Sequence, residues 1–311
     1  MKPKTILAFG NPVYDLISTP ALRRTDRVLS GCSTNACLAV SKLGEESILV
    51  GAVGPDFNER LGRDLDRWRI ASRLFPSIHT GGFSLLYDER GNRDLTILGV
   101  ADPIPPGADG FKHADFVLIG PILGETSPEL VHHVRQVLSA PILLDPQGLL
   151  RVLQNGQVHH RLTPEFGQIA ALSTVVKANE LETQVITGID PRQDPEGAVR
   201  ALHSFGGQIA VVTLAEAGSL IFDGQDIIQI PPYTTHAIDP TGAGDTYAAG
   251  FMVKYLETPQ DLAAVGCFAS AVASVMVENS GPEFPLTRQE ADRRTMQLLN
   301  GPLRIKLVSS Q

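Results

Sequence analysis

Residues 239–247 read DPTGAGDTY, where the small residues Gly242, Ala243 and Gly244 leave the backbone bare between a proline and an acid. An apolar run, AAGFMVKYL, follows at once. Small residues ahead of a helix uncover N–H groups at the positive end of the helix dipole, an anion site that phosphate usually fills. The plainer reading is a glycine-rich turn that lets two elements pack. A dipole alone contributes roughly 0.3–1 kcal/mol to an exposed charge, so other groups must help to grip a nucleotide. Asp245 at the mouth of such a site repels phosphate and needs a task of its own. It is either a helix N-terminal acid, which is mildly stabilising, or a base that takes the proton of an attacking hydroxyl. A loose phosphoryl-transfer transition state asks mainly for positioning and charge neutralisation, and an Asp base is adequate for that.

Other phosphate motifs fail here. No Gly-Lys pair occurs in the chain, so there is no P-loop. The dinucleotide fingerprint starts at Gly242 and Gly244 but meets Tyr247 at its third glycine, and its lead-in lies late in the chain. Further acids stand where chemistry is expected. Glu125 follows the run FVLIGP and Asp145 ends PILLD, at the carboxyl ends of two expected parallel strands, the edge where open α/β sheets bind ligands. Each acid could equally cap a following helix. Asn179 with Glu182 three residues on has the spacing of a capping box. The pairs His132-His133 and His159-His160 lack metal-ligand spacing and read as solvated surface.

The elements that must hold these groups are legible. Continuous apolar runs, TILAFG, SILVGAVG, FVLIG, PILLD, TVVKA and IAVVTL, suit strands buried on both faces. Helical patterns lie between them: TNACLAVSKL, ERLGRDLDRW, PELVHHVRQVL, DPEGAVRALHSF and an apolar pair over residues 245–278. The alternation predicts a doubly wound α/β domain with a mostly parallel sheet. Residues 82–98 break the rhythm as two strands about a charged turn at 89–92, a hairpin that cannot easily join a parallel core. Together with residues 12–29 it is expected to form a small β lid on a single domain spanning 1–311.

Composition bounds the rest. The 311 residues are 43% hydrophobic, ample for a large core. A net charge of −8 argues against nucleic acid or an anionic membrane surface as partner. The first residues hold too short an apolar run for a signal peptide, and no window suits a membrane span. Cys32, Cys37 and Cys267 lack CxxC spacing, which points to reduced thiols and a cytoplasmic protein without a zinc site.

With these residues in place, the chain resembles the PfkB/ribokinase family of small-molecule kinases. DPTGAGDTYAAGFM fits the family's C-terminal signature at every defined position. The resemblance implies a ribokinase-like fold, ATP and Mg²⁺, Asp245 as base and the backbone of Gly242, Ala243 and Gly244 as anion hole. GNPVYD and SGCSTNAC match earlier elements and imply Asp15, Gly31 and Asn35 at the substrate, with Ser30 and Cys37 as departures. Glu125 is a further substrate candidate and Asp145 stands behind the site. Asn179 and Glu182 resemble the family's N-x-x-E, associated with magnesium and its waters, so one pair could serve cap and metal. TLAEAG resembles a strand-end turn by the nucleotide, giving Thr213 and Gly218, although Ala215 replaces a glycine. Gly281 resembles the stretch over the adenine. Asp239 and the Thr241 carbonyl match positions that hold a monovalent cation such as K⁺ in some relatives.

The expectation is an ATP-dependent kinase of an alcohol group on a sugar, cyclitol or nucleoside, with a homodimer through the lid. The alternatives are a phosphosugar kinase, for which Arg23, Arg24, Arg27, Arg90 and Arg93 would be clamps, and a catalytically silent binding regulator. Such a regulator would typically lose the Asp or the glycines of DPTGAGD, and this chain keeps them all. A nicotinamide-dependent oxidoreductase lacks its fingerprint.

Overall fold

The computed structural model describes residues 2–88, 93–108, 110–111, 113–301 and 304–307. Among them, the larger of two sheets runs β17 (Arg304–Leu307), β16 (Asp226–Ile230), β15 (Ser219–Phe222), β14 (Ile209–Thr213), β13 (Val175–Asn179), β10 (Ile142–Leu144), β9 (Phe116–Ile119), β1 (Thr5–Phe9), β5 (Glu46–Val53), β6 (Ala71–Pro76). Pairing is parallel from β6 to β14, and β15, β16 and β17 close the other edge antiparallel. The six apolar runs read from sequence are β1, β5, β9, β10, β13 and β14.

Successive side chains of a strand point to opposite faces, so a continuous apolar run must be covered twice. Ile6 and Ala8 pack with α1 (Cys32–Lys42), α2 (Asn58–Arg67), α7 (Ala243–Tyr255), α8 (Leu262–Val277) and α9 (Arg288–Leu299). Leu7 and Phe9 pack on the other face with α3 (Pro128–Val137), α4 (Pro164–Leu172), α5 (Glu180–Thr187) and α6 (Pro195–His203). The result is the doubly wound α/β architecture expected.

From β1 the chain proceeds to β5 and β6 on one side and to β9, β10, β13 and β14 on the other. The order therefore reverses at β1 and β9, and ligands bind outside the carboxyl ends of strands at such a switch point. There a Cβ on Gly10 would stand 2.2 Å from the Gly120 carbonyl oxygen, so only glycine permits the two strand ends to approach.

The smaller sheet covers that end. Its order is β11 (Arg151–Gln154), β12 (Gln157–His160), β8 (Arg93–Gly99), β7 (Gly82–Tyr87), β2 (Val13–Thr19), β3 (Leu22–Arg23), with β4 (Val28–Ser30) paired to β2. Segments 12–29 and 82–98 thus form strands as expected, while the turn at 89–92 lies outside the described residues. The hairpin of β11 and β12 is an addition to the expectation. It turns through Asn155 and Gly156 at φ 51° and 77°, the Asn-Gly chemistry of a two-residue hairpin loop, and carries His159 and His160. Ile17, Phe83, Leu85 and Tyr87 from the inner face pack with Cys32 at the start of α1 and with Ile122 just after β9.

Candidate active site

The first turn of α7 opens onto a cavity of about 130 Å³ beneath the smaller sheet. Gly242 is the N-cap of α7 at φ 83°, and no side chain caps the helix. Gly242, Gly244 and Asp245 line the cavity, whereas the Ala243 N–H donates to the Pro240 carbonyl. The bare turn read from sequence is therefore a helix N-terminus aimed into a polar cavity, and the positive end of the dipole favours an anion there.

Asp245 is held from two sides. Asn35 of α1 donates to one carboxylate oxygen at 2.8 Å, and Gln147 to the other at 3.3 Å. Gln147 in turn accepts from Arg151 at 2.7 Å, and Arg151 also donates to the Ile122 carbonyl at 3.1 Å. Burial lifts the Asp245 carboxyl above the ordinary aspartate range, and the neighbouring Asp145 adds to the rise. The Asn35 bond and the Lys177 ammonium act against it. Asn35, expected at the substrate, both lines the cavity and fixes the Asp245 carboxylate.

Asp15 and Gly31 also line the cavity. One oxygen of Asp15 accepts from the Phe83 N–H at 2.8 Å, which ties it to β7. Gly31 is the N-cap of α1 at φ 113°, and a Cβ there would lie 3.0 Å from the Asn11 carbonyl oxygen. Asp145 lies deeper than a loop acid. Its carboxylate, that of Asp245 and the Cys32 thiol place ligand atoms within 4.8 Å of one another. Lys177 of β13, a residue the sequence reading passed over, donates to Asp145 at 2.5 Å, with both side chains buried. Burial works against the Lys177 ammonium, but Asp145 and Glu182 outweigh it and hold the group above its ordinary value.

Asn179 and Glu182 form a complete capping box at α5: Glu182 N–H donates to the Asn179 side chain, and Asn179 N–H donates to the Glu182 carboxylate, each at 2.9 Å. Both residues also line the cavity. Burial, reinforced by Asp145, lifts Glu182 to about 7.

Other candidates fall elsewhere. The buried Glu125 carboxylate accepts from the backbone N–H groups of Asn11, Ile122 and Leu123, and it does not line this cavity. It locks the β1 and β9 ends together. Thr213 and Gly218 form the tight turn from β14 to β15, where a Cβ on Gly218 would stand 2.1 Å from the Ile230 carbonyl oxygen. Gly281 adopts φ 72° against Arg24, outside the cavity lining. Buried Asp239 accepts from the Thr241 N–H at 2.9 Å and from the Ser280 hydroxyl at 2.6 Å, closing the turn before α7 onto the 279–283 loop. Thr241 Oγ1 donates to the Tyr87 hydroxyl at 3.0 Å, and Arg24 donates to the Ser280 carbonyl at 3.0 Å. Arg27 donates to the Tyr14 carbonyl, so these two arginines are engaged by protein. Arg90 and the side chain of Arg93 lie outside the described residues.

Comparison with known proteins identifies the family and the fold. The family model for pfkB family carbohydrate kinases matches residues 4–289. A nucleoside kinase of Methanothermobacter thermautotrophicus is 27% identical, covering 94% of this chain and 96% of that protein. Inositol 3-kinase of Arabidopsis thaliana is 27% identical, covering 94% of this chain and 81% of its own length. Among solved structures, a sulfate complex of a pyrophosphate-dependent kinase in the ribokinase family superposes with a TM-score of 0.81 at 22% identity, over 92% of this chain and 99% of that one. The last likeness is one of fold.

Proposed function

The chain belongs to the pfkB family of carbohydrate kinases, and from that membership we propose that it transfers the terminal phosphoryl group of ATP to a hydroxyl of an uncharged sugar, cyclitol or nucleoside. The observation that carries the reading is Asp245, a buried carboxylate clamped by Asn35 and Gln147 at the lip of an uncapped helix N-terminus. Asp245 takes the proton of the acceptor hydroxyl, and the α7 amides hold the transferring phosphoryl group. Asp15, across the cavity, accepts from the acceptor's other hydroxyls. The smaller sheet covers the acceptor and excludes water, the competing nucleophile.

Magnesium fits the donor set: Glu182 offers hard carboxylate oxygens into the cavity, with Asn179 beside it. Mg²⁺ takes such oxygens sparingly and keeps several waters, so Asn179 and Glu182 would hold it through water. When bound it would neutralise phosphate charge. Thr213, Gly218 and Gly281 belong to the nucleotide side of this reading. Asp239 and the Thr241 carbonyl would take K⁺, checked by the K⁺ dependence of turnover. No helix among the described residues is long and apolar enough to cross a membrane. The reading keeps a cytoplasmic protein and a homodimer through the outer face of the smaller sheet, where Leu86 and Leu98 are exposed. Sedimentation of Leu86→Asp against wild type checks the dimer.

One observation favours a phosphorylated acceptor: Arg151 lines the cavity. Against it stand Asp15, Asp145, Glu182 and Asp245 on the same walls, which repel an anionic acceptor and suit neutral hydroxyls. A coupled assay over sugars, cyclitols, nucleosides and phosphosugars, with ATP and with pyrophosphate as donors, tests the reading. Preference for a phosphosugar would reverse the acceptor assignment, and binding without turnover across the panel would favour the silent regulator.

A further inference from the structure

Lys177 is the buried group that this account leaves without a chemical task. Its place is unusual on two counts. A Cβ on Gly244 would stand 2.9 Å from the Lys177 Nζ, so the ammonium lies against the first turn of α7. Both Lys177 and Gly244 line the cavity. A cation parked at the positive end of a helix dipole is unfavourable unless an anion joins them. Asp145 supplies one such anion from the β10 end, but its bond uses one of the three donors of an ammonium.

The charges on the walls point the same way. Asp15, Asp145, Glu182 and Asp245 face the cavity, and an arriving phosphoryl group adds more negative charge. Arg151 donates to the Gln147 side chain, which itself holds Asp245, and to the Ile122 carbonyl. Lys177 is the cation placed at the anion hole itself. The absence of a side chain at Gly244 then has two reasons, access for a phosphate and room for the ammonium.

Resting on the kinase reading, we infer that Lys177 is a catalytic residue whose ammonium donates to an oxygen of the transferring phosphoryl group, while Asp145 holds it in place. In the step, the acceptor oxygen bonds to phosphorus and the bond from phosphorus to the donor's bridging oxygen breaks. The electron pair of that bond leaves with the donor, and the acceptor proton passes to Asp245. Lys177 keeps its proton throughout and offsets the charge on the equatorial oxygens. Its point charge, rather than a forked guanidinium, suits a contact shared between a carboxylate and a phosphoryl oxygen.

The test compares wild type, K177M and the double variant K177M/D145N, in which both partners of the buried ion pair are neutral. Each is read by melting temperature, by calorimetric binding of Mg²⁺ with a non-hydrolysable ATP analogue or with imidodiphosphate, and by kcat and KM on the best acceptor. The expected result is a double variant that melts close to wild type, binds the donor analogue at least about 10-fold more weakly and loses about 10²–10³ in kcat, the usual cost of one preorganised oxyanion donor. Its KM for the acceptor stays nearly unchanged. Donor binding and kcat both within about 3-fold of wild type in a folded double variant would make Lys177 structural and overturn the inference. Should wild type phosphorylate no acceptor, the kinase reading fails and the catalytic role of Lys177 with it, while the donor-binding comparison still decides whether Lys177 contacts the donor's phosphate. Failure of wild type to bind either analogue overturns both.

Discussion

In the role proposed for it, Asp245 needs a carboxylate that stays ionised among other acids, and the fold makes that costly. Its folded value is raised by burial and by Asp145. A carboxyl raised on folding is destabilising when ionised, so its cost is absent at low pH and grows as pH rises from about 4 through the folded value. Asp245→Asn removes that titration. The difference in melting temperature between variant and wild type should therefore shift in the variant's favour from pH 4 to pH 8, and thermal denaturation across that range checks the sign. The same variant should lose ~10²–10⁴ in turnover, as removal of a general base does, with donor binding largely kept. Full activity would sink the mechanism. Glu182 answers a different question, because the capping box and the cavity share it. Glu182→Gln keeps an acceptor for the Asn179 N–H, so the melting temperature should stay within a few degrees while the Mg²⁺ concentration needed for half-maximal rate rises several-fold. Unchanged Mg²⁺ dependence would leave Glu182 as a cap alone.

Elements differ in how openly the sequence declares them. β1, β5, β9, β10, β13 and β14 were legible because strands buried on both faces are written as unbroken apolar runs. β11 and β12 carry mixed polarity, and their one clear signal, Asn155-Gly156 in QNGQ, was overlooked beside the adjacent histidines. Gln147 carries no local sign of its task, because its bond to Asp245 spans 98 residues. Lys177 reads locally as one polar residue in a strand, since its partner Asp145 arrives from another strand. Glu125 shows the converse: a carboxylate at a strand's carboxyl end can serve backbone N–H groups as well as a ligand. The smaller sheet yields an element-scale prediction. Its inner face joins the rest through a modest cluster around Ile17, Phe83 and Leu85. Amides of β7 and β8 should therefore exchange faster than those of β1 and β9 in the free protein, and slow when acceptor and donor bind. Hydrogen exchange measured free and doubly liganded checks this, and equal protection in both states would make the sheet fixed structure.

At the scale of the whole molecule, motif and fold agree because the switch point of β1 and β9, the start of α1 and the start of α7 converge on one end of the sheet. Residues 239–247 could be read alone as an anion site, yet the acceptor side needed the second sheet, whose placement depends on contacts far apart in sequence. Those contacts carry a consequence. Tyr87 of the smaller sheet is bonded to Thr241 in the turn before α7, and Arg24 of the same layer to Ser280, itself bonded to Asp239. A molecule bound under the sheet and an anion bound at α7 thus settle parts of one hydrogen-bonded assembly, and whichever arrives first has already met some of the ordering cost of the other. The order of arrival then leaves the total unchanged: the factor by which one ligand tightens the second must equal the factor by which the second tightens the first.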